Sequence, residues 1–130
     1  MTIELTVLSL LALGSLILPL VYSPLYSKQV GNAGLMGNRD NIPAPTGAAG
    51  RGLRAHHNLI ENLVPFAVAV LVAHALGISN GITAAGAWLF LAARLVHVIC
   101  YFAGIKVVRT LSWFAGVIGT LLVLSQIFLA

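Results

Sequence analysis

The chain has 130 residues, 59% hydrophobic and only 8% charged, and its seven Lys and Arg against three Asp and Glu leave a net charge of +4. Soluble domains carry about a quarter charged residues, and disordered chains combine low hydrophobicity with high charge, so both classes are excluded. The length allows a single domain, 1–130, and the cations stand between apolar runs, as topology and site residues of an integral membrane protein do, rather than forming a nucleic-acid surface.

A charge-free run from Leu5 to Tyr22 predicts a first membrane helix over about 3–26, bent at Pro19 and closed near Pro24. No Lys or Arg precedes the run and no small-residue cleavage pattern follows it, so it reads as a span rather than a signal peptide. Gly31, Gly34, Gly37, Gly47 and Gly50, with Pro43 and Pro45, then predict a loop over 27–50, long enough to be functional. A second helix is expected over 51–77, polar at first and apolar from Leu63, with Gly77 ending it. Ile78, Ser79 and Asn80 make a tight turn into a third helix over 82–103, and Gly104 to Val108 lead to a fourth over 109–130. No period-two alternation appears, so the fold class is all-α: a bundle of four transmembrane helices. Small residues at Ala12, Gly14, Ala69, Ala73, Ala92, Gly116 and Thr120 allow the helices to approach.

Four spans put the two longer connections on one side, together with Lys28, Arg39, Arg51, Arg54, Lys106 and Arg109. The termini and the 78–80 turn carry no Lys or Arg. The positive-inside rule therefore places the cation-bearing loops in the cytoplasm and both termini outside.

Ionisable residues within spans are costly and need a reason. At 100° per residue, Arg51, Arg54, Asn58, Glu61 and Asn62 share a sector of about 100° on the second helix, and Arg94, His97 and Tyr101 a narrower one on the third. Glu61 lies about 15 Å along its helix from the cytoplasmic side and Arg94 about 12 Å, depths at which the two can pair. With Arg109 and Thr110 opening the fourth helix, three helices direct polar groups into one cytoplasm-facing cavity. One carboxylate cannot neutralise Arg54, Arg94 and Arg109, so the cavity suits an anionic ligand. His56 and His74 lie off the stripe, Cys100 reads as a small hydrophobe, and the histidines do not converge as a metal set, so no metal is expected.

The stretch Arg51-Gly-Leu-Arg-Ala-His-His-Asn-Leu-Ile-Glu61-Asn-Leu-Val-Pro-Phe66 resembles the second-helix signature of the MAPEG family, the membrane-associated proteins in eicosanoid and glutathione metabolism. Arg94-Leu-Val-His97-Val-Ile-Cys-Tyr101 resembles the family's third-helix pattern, and Val108-Arg109-Thr110 the opening of its fourth helix. Gly37-Asn-Arg-Asp40 is similar to prokaryotic members, which implies a bacterial inner membrane. The resemblance implies a homotrimer with glutathione as co-substrate between neighbouring protomers, and a lipophilic small-molecule substrate reaching it from the membrane lipids. It implies that Arg54, His57, Asn58, Glu61, Arg94, His97, Tyr101, Arg109 and Trp113 bind glutathione, with Arg109, Thr110 and Tyr101 catalytic. His57 stands where several mammalian members carry Arg, and Trp113 where some carry Tyr. The implied activity is that of a glutathione- or related thiol-dependent transferase or peroxidase; a non-catalytic membrane subunit of the same fold, binding lipid or a partner protein, is the second class the residues admit.

Overall fold

The computed structural model describes all residues from Met1 to Ala130 as four helices, α1 (Ile3–Met36), α2 (Gly47–Ala75), α3 (Gly81–Ala103) and α4 (Lys106–Phe128). Each is long and apolar enough to cross a membrane. The chain is thus a multi-pass integral membrane protein of all-α class.

The helix ends differ from the sequence expectation chiefly in α1. The expected loop over 27–50 contracts to 37–46, because α1 absorbs Pro19 and Pro24 and continues through a kink at Gly31, whose φ of 77° is left-handed. Side chains of α1 fasten this extension to the connection that follows. Tyr26 Oη donates to Pro43 O over 2.6 Å, and the Gln29 amide pairs with the Thr46 backbone, donating to its carbonyl and accepting from its N–H, both at 3.0 Å. Gly-rich sequence is a weak breaker where side chains supply the missing backbone partners. α2 accordingly starts at Gly47 rather than Arg51, and α4 at Lys106 rather than Arg109.

The other boundaries follow from capping. Gly77 takes φ 70° just past the end of α2, where Ile78 N–H donates to Ala73 O. Asn80 then caps α3 in a reciprocal box: its Oδ1 accepts from Ile82 and Thr83 N–H, while its own N–H donates to Thr83 Oγ1.

α3 and α4 pack most closely, and α1 lies on α2 and α3 without reaching α4. The close pair depends on two glycines. A Cβ on Gly119 would lie 2.7 Å from Gly86 O and 2.9 Å from Phe90 N, and one on Gly86 would lie 2.7 Å from Gly119 O. Phe90 of α3 stacks flat on Phe66 of α2, ring centroids 4.0 Å apart, in a core that includes Val7, Leu11, Leu59 and Val123. At the end away from the cations, Glu4 is buried (3% exposed), and its carboxylate accepts from Thr83 Oγ1 and Ser79 Oγ. α1 is thereby pinned to the α2–α3 turn.

The glycine contact makes a paired expectation. Gly119→Ala should cost about 1–3 kcal/mol, as overpacking does, and lower the melting temperature of the detergent-solubilised protein. Gly14→Ala, where an added Cβ meets nothing within 4 Å, should leave it unchanged. Equal melting temperatures for the two variants would contradict the close approach.

Candidate functional site

Arg94 is the centre of the polar interior. It is 2% exposed, and each polar contact it makes is to a neutral group. Nη1 donates to Asn58 Oδ1 of α2 over 3.0 Å, and Nη2 donates to the carbonyls of Ser112 and Trp113 of α4 at 3.2 and 3.3 Å. The guanidinium also lies beside the Phe90 ring, Cζ 5.4 Å from its centroid. One side chain thus ties α2, α3 and α4 together at mid-span. Asn62 Nδ2 donates to the Asn58 carbonyl at 2.8 Å and to Asn58 Oδ1 at 3.3 Å, so the Asn58 amide oxygen is engaged twice.

Glu61, the partner expected for Arg94, is instead exposed and absent from its hydrogen bonds. The reason is azimuth rather than depth. Glu61 lies about 60° round α2 from Asn58 on one side and Asn62 about 40° on the other. The polar stripe splits along that line: Arg51, Asn58 and Asn62 are half-buried on its inner edge, whereas Arg54, His57 and Glu61 are exposed on its outer edge. Arg51 Nε donates to Phe102 O at 3.1 Å, joining α2 to the end of α3.

Further toward the cationic end, His97 is buried and stands edge-on to Tyr101, ring centroids 5.2 Å apart. Arg109, in the first turn of α4, sets its guanidinium over the other aromatic partner: Cζ is 4.6 Å from the Tyr101 centroid. His97, Tyr101 and Arg109 therefore form one continuous row beside Arg94. Trp113 is half-buried, joined to the row through its carbonyl on Arg94, with its indole edge-on to Phe114. Thr110 is exposed; its hydroxyl donates to Lys106 O at 3.2 Å, and it lines a surface hollow with Lys106, Val107 and Leu111.

The one polar cavity expected from the stripes is not formed within one chain. None of the larger cavities is lined by Arg54, Glu61, Tyr101 or Arg109; Arg54 and Glu61 are exposed, and Tyr101 and Arg109 are half-buried. The cavity nearest the row is apolar, about 240 Å³, between α1 and α3, with Leu10, Gly14, Leu59, Leu91 and the Arg94 side chain among its walls. Sequence reasoning missed the Ser112 and Trp113 carbonyls, which no side-chain pattern reveals. It also missed the Glu4–Ser79–Thr83 cluster, for which the one signal was an acid at the head of an apolar span. His56, off the stripe as expected, bonds through Nδ1 to Tyr22 Oη at 3.0 Å and joins α2 to α1.

The chain matches the family model of the MAPEG family over residues 4–129. Comparison with curated proteins finds no match to it.

Removing the Asn58 amide deprives a buried guanidinium of one acceptor. Asn58→Ala should therefore cost about 1.5–3 kcal/mol, the range for hydrogen bonds to charged groups. Lys28→Ala, at an exposed position of α1 away from the outer edge of α2, should stay within about 0.5 kcal/mol. Thermal melts of the two variants in the same detergent check the difference, and a neutral Asn58→Ala would show that Arg94 does not depend on that acceptor.

Proposed function

The chain belongs to the MAPEG family, and from that premise we propose that it is a glutathione-dependent transferase or peroxidase of the membrane, acting on lipophilic electrophiles through a stabilised thiolate. The observation that carries the reading is the setting of Arg109. Its guanidinium rests on the Tyr101 ring rather than on a carboxylate, so its charge is held in place yet remains available to an incoming anion. It also sits in the first turn of α4, where the helix dipole adds positive potential. A guanidinium and a helix N-terminus beside sulfur favour thiolate over thiol.

The remaining groups fit the rest of glutathione. Its two carboxylates call for a cation and further donors, which Arg54 and the His57 imidazole supply on the exposed edge of α2, and its ammonium is answered by Glu61. The Nδ2 protons of Asn58, His97 and the Tyr101 hydroxyl stand as neutral donors along the row, and Arg94 acts on the site through Asn58. Thr110 and Trp113, one and four residues after Arg109, complete the α4 contribution. Exposed polar groups on a membrane helix are costly against lipid, so the outer edge of α2 is read as an interface in a homotrimer, with each glutathione between two protomers. The cationic end is read as cytoplasmic and the termini as outside, in a bacterial inner membrane.

In the transferase reaction the thiol proton leaves to water, the thiolate sulfur attacks an electrophilic carbon, and the C–S bond forms as a leaving group departs or a proton is taken up. With a lipid hydroperoxide the thiolate attacks a peroxide oxygen and the O–O bond breaks. A sulfenic form and an alcohol result, and a second glutathione converts the sulfenic form to the disulfide with loss of water. Both start from the same thiolate. The apolar cavity between α1 and α3 supports a substrate that arrives from the bilayer.

The test is thiolate absorbance of glutathione mixed with the purified protein near neutral pH. We expect a thiolate signal in the wild type, and in Arg109→Ala an apparent thiol pKa higher by about 1–2 units, the effect of losing a nearby opposite charge, with Arg109→Lys between the two. A wild type that binds no glutathione and forms no thiolate would favour a non-catalytic subunit. An unchanged pKa in Arg109→Ala would remove Arg109 from the mechanism.

A further inference from the structure

We infer that Gly116 is a positioning residue of the thiol site: its missing side chain is what lets the Arg94 guanidinium reach α4 and hold the Asn58 amide with its N–H groups toward the polar face. The inference rests on the proposed thiol function for its consequence, and on geometry alone for its mechanism.

A Cβ at position 116 would lie 3.0 Å from both Cζ and Nε of Arg94 and would collide with Nη2. The planar guanidinium therefore lies against the bare backbone of α4. The two carbonyls that accept from Nη2 belong to Ser112 and Trp113, four and three residues before Gly116, and so on the same face of the helix. At its other end Nη1 donates to Asn58 Oδ1. A guanidinium has donors only, so the atom that meets it is the amide oxygen, and Asn62 Nδ2 engages the same oxygen. Both Nδ2 protons of Asn58 are thereby left for an acceptor outside this network.

Arg94 Nε supplies the independent sign that packing sets this placement. It is buried without a hydrogen-bond partner. An arginine free to optimise its own hydrogen bonds would satisfy that N–H; one laid into a slot of fixed shape gives it up. Gly116 differs in this respect from Gly119. The nearest atoms to a Cβ at 119 are backbone atoms of Gly86 and Phe90, whereas at 116 all three nearest are side-chain atoms of Arg94. A methyl group at 119 forces two helices apart. A methyl group at 116 displaces one arginine and frees one amide to turn.

Compensation follows from the shape of the side chains. Lysine carries a single ammonium on a flexible stem instead of a planar fork, so Arg94→Lys clears a methyl at 116 and still donates to Asn58. The experiment uses the full chain in detergent with glutathione as the probe, scored by calorimetric affinity, thiolate absorbance and melting temperature. The Nε–H resonance of Arg94, identified by its loss in Arg94→Lys, gives a readout that needs no ligand. We expect Gly116→Ala to weaken glutathione binding about tenfold, the equivalent of one well-formed hydrogen bond, and to shift the Nε–H resonance. The double variant Gly116→Ala/Arg94→Lys should recover affinity to within about threefold of wild type. Gly81→Ala, where an added Cβ meets nothing within 4 Å, should leave the resonance and the affinity unmoved. Wild-type affinity in Gly116→Ala, or a double variant no better than the single one, overturns the inference. If the wild type itself neither binds glutathione nor forms its thiolate, the functional proposal fails. Positioning is then judged by the resonance alone: a shift in Gly116→Ala but not in Gly81→Ala upholds it, and an unmoved signal in Gly116→Ala overturns it.

Discussion

A guanidinium buried at the middle of a membrane bundle must find acceptors inside the protein, and the arrangement of three of the four helices answers that requirement. Arg94 reaches sideways from α3 to an amide on α2 and to two carbonyls on α4. Each of those contacts fixes the rotation of a helix as well as its distance. α4 can come near enough only because Gly86 and Gly119 let its backbone touch α3. The same rotation brings Arg109 over the Tyr101 ring one to two turns closer to the cationic end. The placement of the candidate chemistry therefore follows from the way one buried charge is satisfied without a counter-ion.

That solution leaves the protein asymmetric in charge. The interior row of Arg94, His97, Tyr101 and Arg109 contains no carboxylate, and Glu61 stands apart on the outer edge of α2 with Arg54 and His57. Inside low-dielectric surroundings an unbalanced cation is a strong field, aimed by packing and little relaxed by solvent. Such a row suits the anionic ligand proposed above, since a charge already fixed by packing is the condition electrostatic catalysis demands.

Much of this was legible in the sequence. Composition establishes a membrane protein, the apolar runs establish four spans, and Asn80 with Gly77 marks the turn between α2 and α3 closely. The end of α1 was not legible, because Gly31 and Pro24 read as breakers in isolation and the partners that carry the helix past them lie in the loop at Pro43 and Thr46. The polar stripe of α2 was found as a set, yet its division into an inner and an outer edge depends on how α2 is rotated against α3. Depth counts residues along one helix and is blind to that rotation, so Glu61 and Arg94 matched in height and not in direction. Ser112 and Trp113 were invisible for a different reason: they contribute carbonyl oxygens, which every residue has.

The pin at the opposite end constrains how the molecule comes to be built. Glu4 leaves the ribosome well before the hydroxyls that satisfy it, which belong to Ser79 and Thr83, some two helices later. Until the α2–α3 hairpin enters the bilayer, α1 carries a carboxylate at its N-terminal end with only water and lipid headgroups for company. Its neighbours afterwards are chiefly α2 and α3. The Glu4 pin thus waits on the third span, although α1 can already pack on α2 through contacts such as Tyr22–His56. A chain truncated after α2 keeps that packing and leaves its one buried carboxylate unanswered.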